Sequence, residues 1–129
     1  MAILIDASVF CAYANLKDMH HSHSKRIIED VVSGKYGDAV ITDYIFDETV
    51  TVTFGKSRDL KKAVMVGTNL QNSADISKVD EKNLEEAWNL FKNQKGTRFS
   101  FTDCTVLSLM KKEGIKNISG IEFREIPNP

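Results

Sequence analysis

Ile3, Leu4 and Ile5 are three large apolar residues in a row, and a run without alternation predicts a strand buried on both faces, as in a parallel sheet. The run stops at Asp6. Val9, Ala12, Tyr13 and Leu16 then recur at i, i+3, i+4 and i+7, one face of a helix. Residues 17–24 are polar, hold His20, His21 and His23, and read as a solvated loop. Ile27, Ile28, Val31 and Val32 mark a second helix that Gly34 closes. Residues 35–38 form a turn, and residues 39–42 a second short buried strand. The β-branched run that follows argues by propensity for strand. The spacing of Ile45, Thr49, Val52 and Thr53, with Thr42 or Asp43 as cap, argues instead for a helix over residues 44–54.

Ser57 is placed to cap a fourth helix carrying Leu60, Ala63, Val64 and Gly67 along one side. Residues 74–79 are a candidate third strand, and Asp80 caps a helix whose apolar face is Leu84, Ala87, Trp88 and Phe91. With Phe10 and Tyr13, the aromatic pair Trp88 and Phe91 is assigned to the core. Gly96 ends that helix, and residues 104–112 form another, with Val106, Leu107 and Met110 apolar and Gly114 as its stop. Residues 115–119 read as the last core strand, and residues 123–126 as a short edge piece before Pro127. Strands alternate with helical segments throughout, the order expected of a parallel α/β sheet with right-handed crossovers.

Composition narrows the class without naming a function. The chain has 129 residues, 42% of them hydrophobic and 27% charged, which fits one globular domain with a substantial core. A formal charge of −1 provides no global basic field for nucleic acid, so any such partner would rely on local clusters. Lys56, Arg58, Lys61 and Lys62 form one basic strip, and Arg98 lies just upstream of Asp103. Strips of this kind are usually solvated helix faces; in an RNA-cutting protein they are candidate phosphate contacts. Lys111, Lys112 and Lys116 sit near a helix C-terminus, where the macrodipole favours them. Cys11 and Cys104 show neither metal spacing nor a disulfide framework and read as reduced, buried thiols. The apolar N-terminus lacks a basic leader segment, and no run approaches the ~18 apolar residues of a membrane span, so a cytoplasmic location is expected.

The acids at strand ends form a short set. Asp6 follows the first strand, Glu48 lies one turn into the helix after the second, Asp103 opens a later helix, and Glu122 follows the last core strand. In a parallel sheet these four converge on its carboxyl edge, where open α/β sheets bind ligands. Each has a plainer role: Asp6 and Asp103 as helix caps, Glu48 as a solvated helix residue. Together, crowded carboxylates repel and raise one another's pKa values, a conflict that a divalent cation resolves. Magnesium takes a few carboxylate oxygens and shares its shell with phosphate, so the pattern points to metal-assisted phosphodiester hydrolysis.

The segments Ile3-Leu4-Ile5-Asp6-Ala7-Ser8, Ile41-Thr42-Asp43-Tyr44-Ile45-Phe46-Asp47-Glu48-Thr49 and Ser100-Phe101-Thr102-Asp103-Cys104 resemble, in order and spacing, the PIN domains, especially VapC-type toxin nucleases. The resemblance implies an α/β, three-layer PIN-like fold over residues 1–129, with a central, mainly parallel sheet flanked by helices. It implies Asp6, Glu48 and Asp103 as metal-site acids, with Ser8 and Thr102 as the hydroxyl residues that orient them. The implied activity is Mg2+- or Mn2+-dependent cleavage of RNA, and the implied partners are a cognate antitoxin and a second copy in a homodimer. Apolar side chains on the first four helices are candidates for either protein surface. One departure stands out: the family's late Asp is replaced by Ile121, with Glu122 one residue on as a longer-reaching substitute. That change motivates an alternative, a degenerate PIN fold that binds RNA or a protein without cutting. An aspartyl-phosphate enzyme or receiver built on Asp6 is a weaker rival, since no second acid follows Asp6 and no lysine is suitably placed.

Overall fold

A computed structural model of the chain describes residues 2–119. Their elements are β1 (Ala2–Ile5), α1 (Ala7–Ala14), α2 (His21–Val32), β2 (Asp38–Thr42), α3 (Asp43–Ser57), α4 (Leu60–Ser73), β3 (Asp75–Ser77), α5 (Glu81–Lys92), α6 (Phe101–Glu113) and β4 (Asn117–Ser119). The strands form one sheet in the order β3-β2-β1-β4, and all three pairings are parallel. Leu4 sits opposite Val40 on one side and Ile118 on the other, which makes β1 a central strand. Successive strand residues point to opposite faces. Leu4 accordingly packs with Ile41, Ile45, Leu70, Val106 and Leu109, whereas Ile3 and Ile5 pack with Val9 and the apolar face of α2. Both faces of the sheet are therefore covered by helices. This is the expected three-layer α/β arrangement.

The β-branched stretch after β2 is helical because its start is well capped. The Thr42 hydroxyl accepts the Ile45 N–H at 3.0 Å, and Ile45, Thr49 and Thr53 are buried along one side. Thr49 turns its hydroxyl onto the Ile45 carbonyl at 2.7 Å, which satisfies a polar group inside the core. Gly67 marks the closest approach of α3 and α4, since a Cβ there would stand 3.0 Å from Val50 Cγ1.

Several boundaries and faces differ from the sequence expectation. Ser57 is the last residue of α3, not the cap of α4. Its hydroxyl donates to the Thr53 carbonyl, Arg58 turns the chain at φ 55°, and Asp59 caps α4 by accepting the Lys62 N–H. The helix α6 starts at Phe101 with Ser100 as its cap, two residues ahead of Asp103. Strands β3 and β4 are shorter than residues 74–79 and 115–119. The segment with the three histidines is not all loop, because α2 begins at His21 and includes His23. His21 Nδ1 lies 3.0 Å from the Ala12 carbonyl, and its ring stacks on Tyr13. Helix α5 ends at Lys92, before Gly96.

The largest correction concerns the aromatics. Trp88 is 53% exposed and Tyr13 46%, and Phe91 also lies mostly at the surface. Helix α5 packs against α6, not against the sheet, and turns Asn83 and Ala87 inward. Asn83 is accommodated because its amide donates to Ser108 Oγ at 2.9 Å and its carbonyl oxygen accepts from Lys112. The apolar stripe Leu84–Trp88–Phe91 thus sits one step away from the buried face. The edge piece expected at residues 123–126 lies outside the described residues.

Candidate active site

Asp6 takes its place because β1 ends there and α1 begins. Its extended backbone (φ −77°, ψ 155°) suits an N-cap, and its backbone N–H donates to the Ser119 carbonyl at 2.8 Å, locking the ends of β1 and β4 together. The side chain is 3% exposed. Oδ2 accepts the Ser8 hydroxyl at 2.6 Å and the Ser8 N–H at 3.4 Å. The first of these is a short, charge-assisted bond that sets the rotation of the carboxylate. Capping and orientation are the same contact.

Glu48 lies on α3, half-buried, one residue before the buried Thr49. Its neighbour Asp47 is exposed and stands near the Thr51 hydroxyl, so the two acids of the Asp47–Glu48 pair part ways. Glu48 and Asp6 come together around Cys11 of α1. Burial first, then the negative charges of Glu48 and Asp6, push that thiol up to about 11 against the opposing pull of Lys56. Cys11 is half-buried rather than buried as the sequence suggests, and its thiol is protonated at neutral pH. Cys104 is raised in the same way, by burial and then by Asp103.

Asp103 is the third residue of α6 and 5% exposed. Its Oδ2 accepts the Ser100 N–H at 2.8 Å while its own N–H donates to Ser100 Oγ at 3.0 Å, a reciprocal capping box. Ser100 therefore helps orient Asp103, beside the Thr102 that the resemblance implies for that role; the Thr102 carbonyl accepts the Thr105 hydroxyl. The Ser-x-x-acid spacing of residues 100–103 is the signal that finds this. An edge contact between Tyr44 and Phe101, with centroids 6.2 Å apart, joins the first turn of α3 to that of α6. Ala7, Ile45 and Val106 share one core cluster beneath it.

The starts of α1 and α3 thus follow the carboxyl ends of β1 and β2, and the Tyr44–Phe101 contact brings the start of α6 beside that of α3. Among the described residues, however, no three His, Cys, Asp or Glu side chains are set as a ready metal cage. Glu122 lies outside the described residues. Gln94 is a contributor that sequence reading missed. Its amide donates to the Phe91 and Phe99 carbonyls and accepts from the Phe99 N–H at 2.8 Å and the Thr97 hydroxyl at 2.9 Å, so it folds the loop that delivers Ser100 and Asp103. No sequence pattern marks a loop glutamine for such a role.

A parallel α/β sheet with buried acids at its carboxyl edge defines a class of crevice-site proteins. Within that class the chain belongs to the PIN domain family, whose model matches residues 3–120. It is 33% identical over 122 residues to a VapC ribonuclease of Archaeoglobus fulgidus, covering 92% of this chain and 76% of that one. It is also 24% identical over 115 residues to the 23S rRNA-specific endonuclease VapC20 of Mycobacterium tuberculosis, covering 89% and 85%. The crystal structure of M. tuberculosis VapC20, described as a Sarcin-Ricin loop cleaving toxin, superposes with a TM-score of 0.79 at 23% identity. That match covers 95% of this chain and 91% of the other and supports the fold. No helix among the described residues is long and apolar enough to cross a membrane.

Proposed function

We propose that this protein is an endoribonuclease that hydrolyses RNA phosphodiester bonds with a divalent cation, Mg2+ or Mn2+, and acts as the toxin of a toxin–antitoxin pair. The observation that carries the reading is Asp6, a buried carboxylate at the carboxyl end of a central strand, held by Ser8, in a PIN-family chain. Asp6, Glu48 and Asp103 would hold the ion, with Glu122 assisting. Carboxylate oxygens are the hard donors such ions take, so the donor set fits. When bound, the ion supplies Lewis acidity toward the phosphodiester. The protein's own part is orientation: Ser8 and Ser100 fix the two buried carboxylates, and the helix starts bring them to one edge.

The exposed apolar side chains Tyr13, Val32 and Met65 around a cavity of about 570 Å3 between α1, α2 and α4 support a protein partner. Antitoxin binding and homodimer formation are part of this reading. The test is RNA cleavage by purified protein with Mn2+, with chelator, and with Asp6→Asn. Cleavage is expected in the first case alone, and equal cleavage in all three refutes the reading. Metal-independent RNA binding with no turnover assigns the chain to the non-cutting alternative, which the Ile121 at the family's late Asp position motivates.

A further inference from the structure

The four basic residues near the α3–α4 junction do not share one environment. Lys56, from the end of α3, and Lys62, from the first turn of α4, line a single cavity of about 110 Å3 against α1, together with Cys11, Asn15, Thr53 and Ser57. Arg58 and Lys61 are not part of its lining. The left-handed turn at Arg58 and the Asp59 cap on the Lys62 N–H bring the two lysines to one place from two helices. Ion pairs among the described residues use Lys35, Lys111 and Lys112, so neither Lys56 nor Lys62 is matched to a carboxylate.

The cavity also holds a buried hydroxyl with only a thiol beside it. Thr53 is 6% exposed, and apart from the Cys11 thiol beside it, its hydroxyl has no hydrogen-bond partner among the described residues. Buried hydroxyls are ordinarily satisfied, and each exception calls for a reason. Ser57 is not that partner: its hydroxyl donates to the Thr53 carbonyl and accepts the Asp59 N–H. Asn15 accepts the Lys17 N–H through Oδ1, which leaves its amide nitrogen as a donor. The lining is thus two cations, a hydroxyl and an amide donor around a small space. A phosphate group meets that description: anionic, compact and rich in acceptors.

The cavity adjoins the acid edge. Cys11 lines it while feeling the charges of both Glu48 and Asp6, and Lys56 lies eight residues beyond Glu48 on the same helix, about 12 Å along its axis. We infer that the notch between α1, α3 and α4 seats a non-scissile backbone phosphate of the RNA substrate, with Lys56 and Lys62 as charge partners and Thr53 as the buried donor. This rests on the proposed ribonuclease function. The seat positions the strand relative to the acids and takes no part in bond breaking.

The test is binding of a fluorescent single-stranded oligoribonucleotide by anisotropy across a salt series, in an Asp6→Asn background with chelator so that the probe survives. For single strands the slope of log K against log salt changes by about 0.7 per phosphate contact. Lys56→Gln and Lys62→Gln are each expected to flatten the slope by about 0.7, and Lys61→Gln to leave it unchanged. Thr53→Val keeps the β-branched shape and is expected to weaken binding several-fold at an unchanged slope and without lowering the melting temperature. Inorganic phosphate is expected to compete with RNA, and to lose that competition in the Lys56→Gln/Lys62→Gln double variant. Equal flattening by Lys61→Gln means diffuse charge and overturns the seat. RNA bound with all slopes unchanged overturns the seat and leaves the ribonuclease reading standing, and phosphate that binds while RNA affinity ignores the lysines makes it a free-anion site. No RNA binding by the parent protein overturns both.

Discussion

Replacing Asp6 with Asn separates the cap from the charge, and the structure sets the size of each effect. Asn caps helices about as well as Asp, and its amide oxygen accepts the same Ser8 hydroxyl and N–H that now bind Oδ2 at 2.6 and 3.4 Å. The substitution loses charge assistance in the short bond, about 1 kcal/mol. It also loses the attraction of a carboxylate to the start of α1, about 0.5 kcal/mol. Against this, Asp6 is 3% exposed, and a buried carboxylate carries an effective desolvation penalty of several kcal/mol. It also shares the surroundings of Cys11 with Glu48, so neutralising it relieves repulsion. On the contacts with Ser8 and the start of α1, the balance favours the neutral side chain in metal-free protein by roughly 1–3 kcal/mol, and the variant is expected not to cut RNA. Urea denaturation in chelator reads the first effect. With a slope of about 1–3 kcal/mol per molar for a small domain, the midpoint should rise by roughly 1 M. RNA cleavage with Mn2+ reads the second. A variant of unchanged stability that still cleaves RNA refutes the reasoning, because Asp6 would then be a helix cap that Asn replaces and nothing more.

Gln94→Ala removes four hydrogen bonds from the 93–99 loop and is expected to cost about 1–2 kcal/mol. It should also lower cleavage more than Lys92→Ala does, measured by denaturation and turnover on the same preparations. Cys11, with its pKa pushed to about 11 by burial first and then by Glu48, should alkylate at pH 8 with a thiolate fraction about a hundredfold below an ordinary cysteine's. Mass spectrometry of iodoacetamide-treated protein checks this, and Lys56→Gln should slow the reaction further by removing the opposing charge. The hydrogen bond from Lys112 to Asp80 at 2.6 Å holds the Asp80 carboxyl below its usual range and the Lys112 ammonium above its own. A depressed carboxylate stabilises above its unfolded pKa and loses that effect as pH falls through the folded one. Any stability gap between the protein and Lys112→Met should therefore close as the solution is acidified below the ordinary carboxylate range. A gap that persists there assigns the effect of Lys112 to its contact with Asn83 instead.

The fold was legible where burial is two-sided or where a cap is local. The unbroken run Ile3–Ile5 reads as a strand buried on both faces, and β1 is paired on both edges. The helix over Thr49–Thr53 could be argued against strand propensity because Thr42 supplies a cap and the 3.6-residue spacing holds. Helix α5 was misread because its periodicity is ambiguous. Leu84, Ala87, Trp88 and Phe91 make a better apolar stripe than the face it buries, which contains Asn83. That asparagine becomes a core residue only through Ser108 and Lys112, 25 and 29 residues further on, and such partners lie beyond any local pattern. Gln94 was illegible for a related reason: its loop contacts depend on where Phe99 returns.

The acids show a different limit. Whether Asp6 and Asp103 are caps or ligand-binding groups reads from sequence as a choice, yet in the structure both serve a helix start, Asp6 as the N-cap of α1 and Asp103 as the acid of the capping box that Ser100 opens. In each, Oδ2 binds the start of its own helix, through Ser8 in one case and the Ser100 N–H in the other. A cap bond fixes the rotation of the carboxylate, which is also what a metal-binding acid requires of its surroundings. The local sequence that makes a good helix start is therefore the sequence that makes an oriented acid, and no reading of residues 6–8 or 100–103 alone can separate the two. Only charge distinguishes them. A cap tolerates Asn, whereas a group that must answer a divalent cation does not, and the stability gain expected for Asp6→Asn is the physical mark of a carboxylate kept for something other than folding.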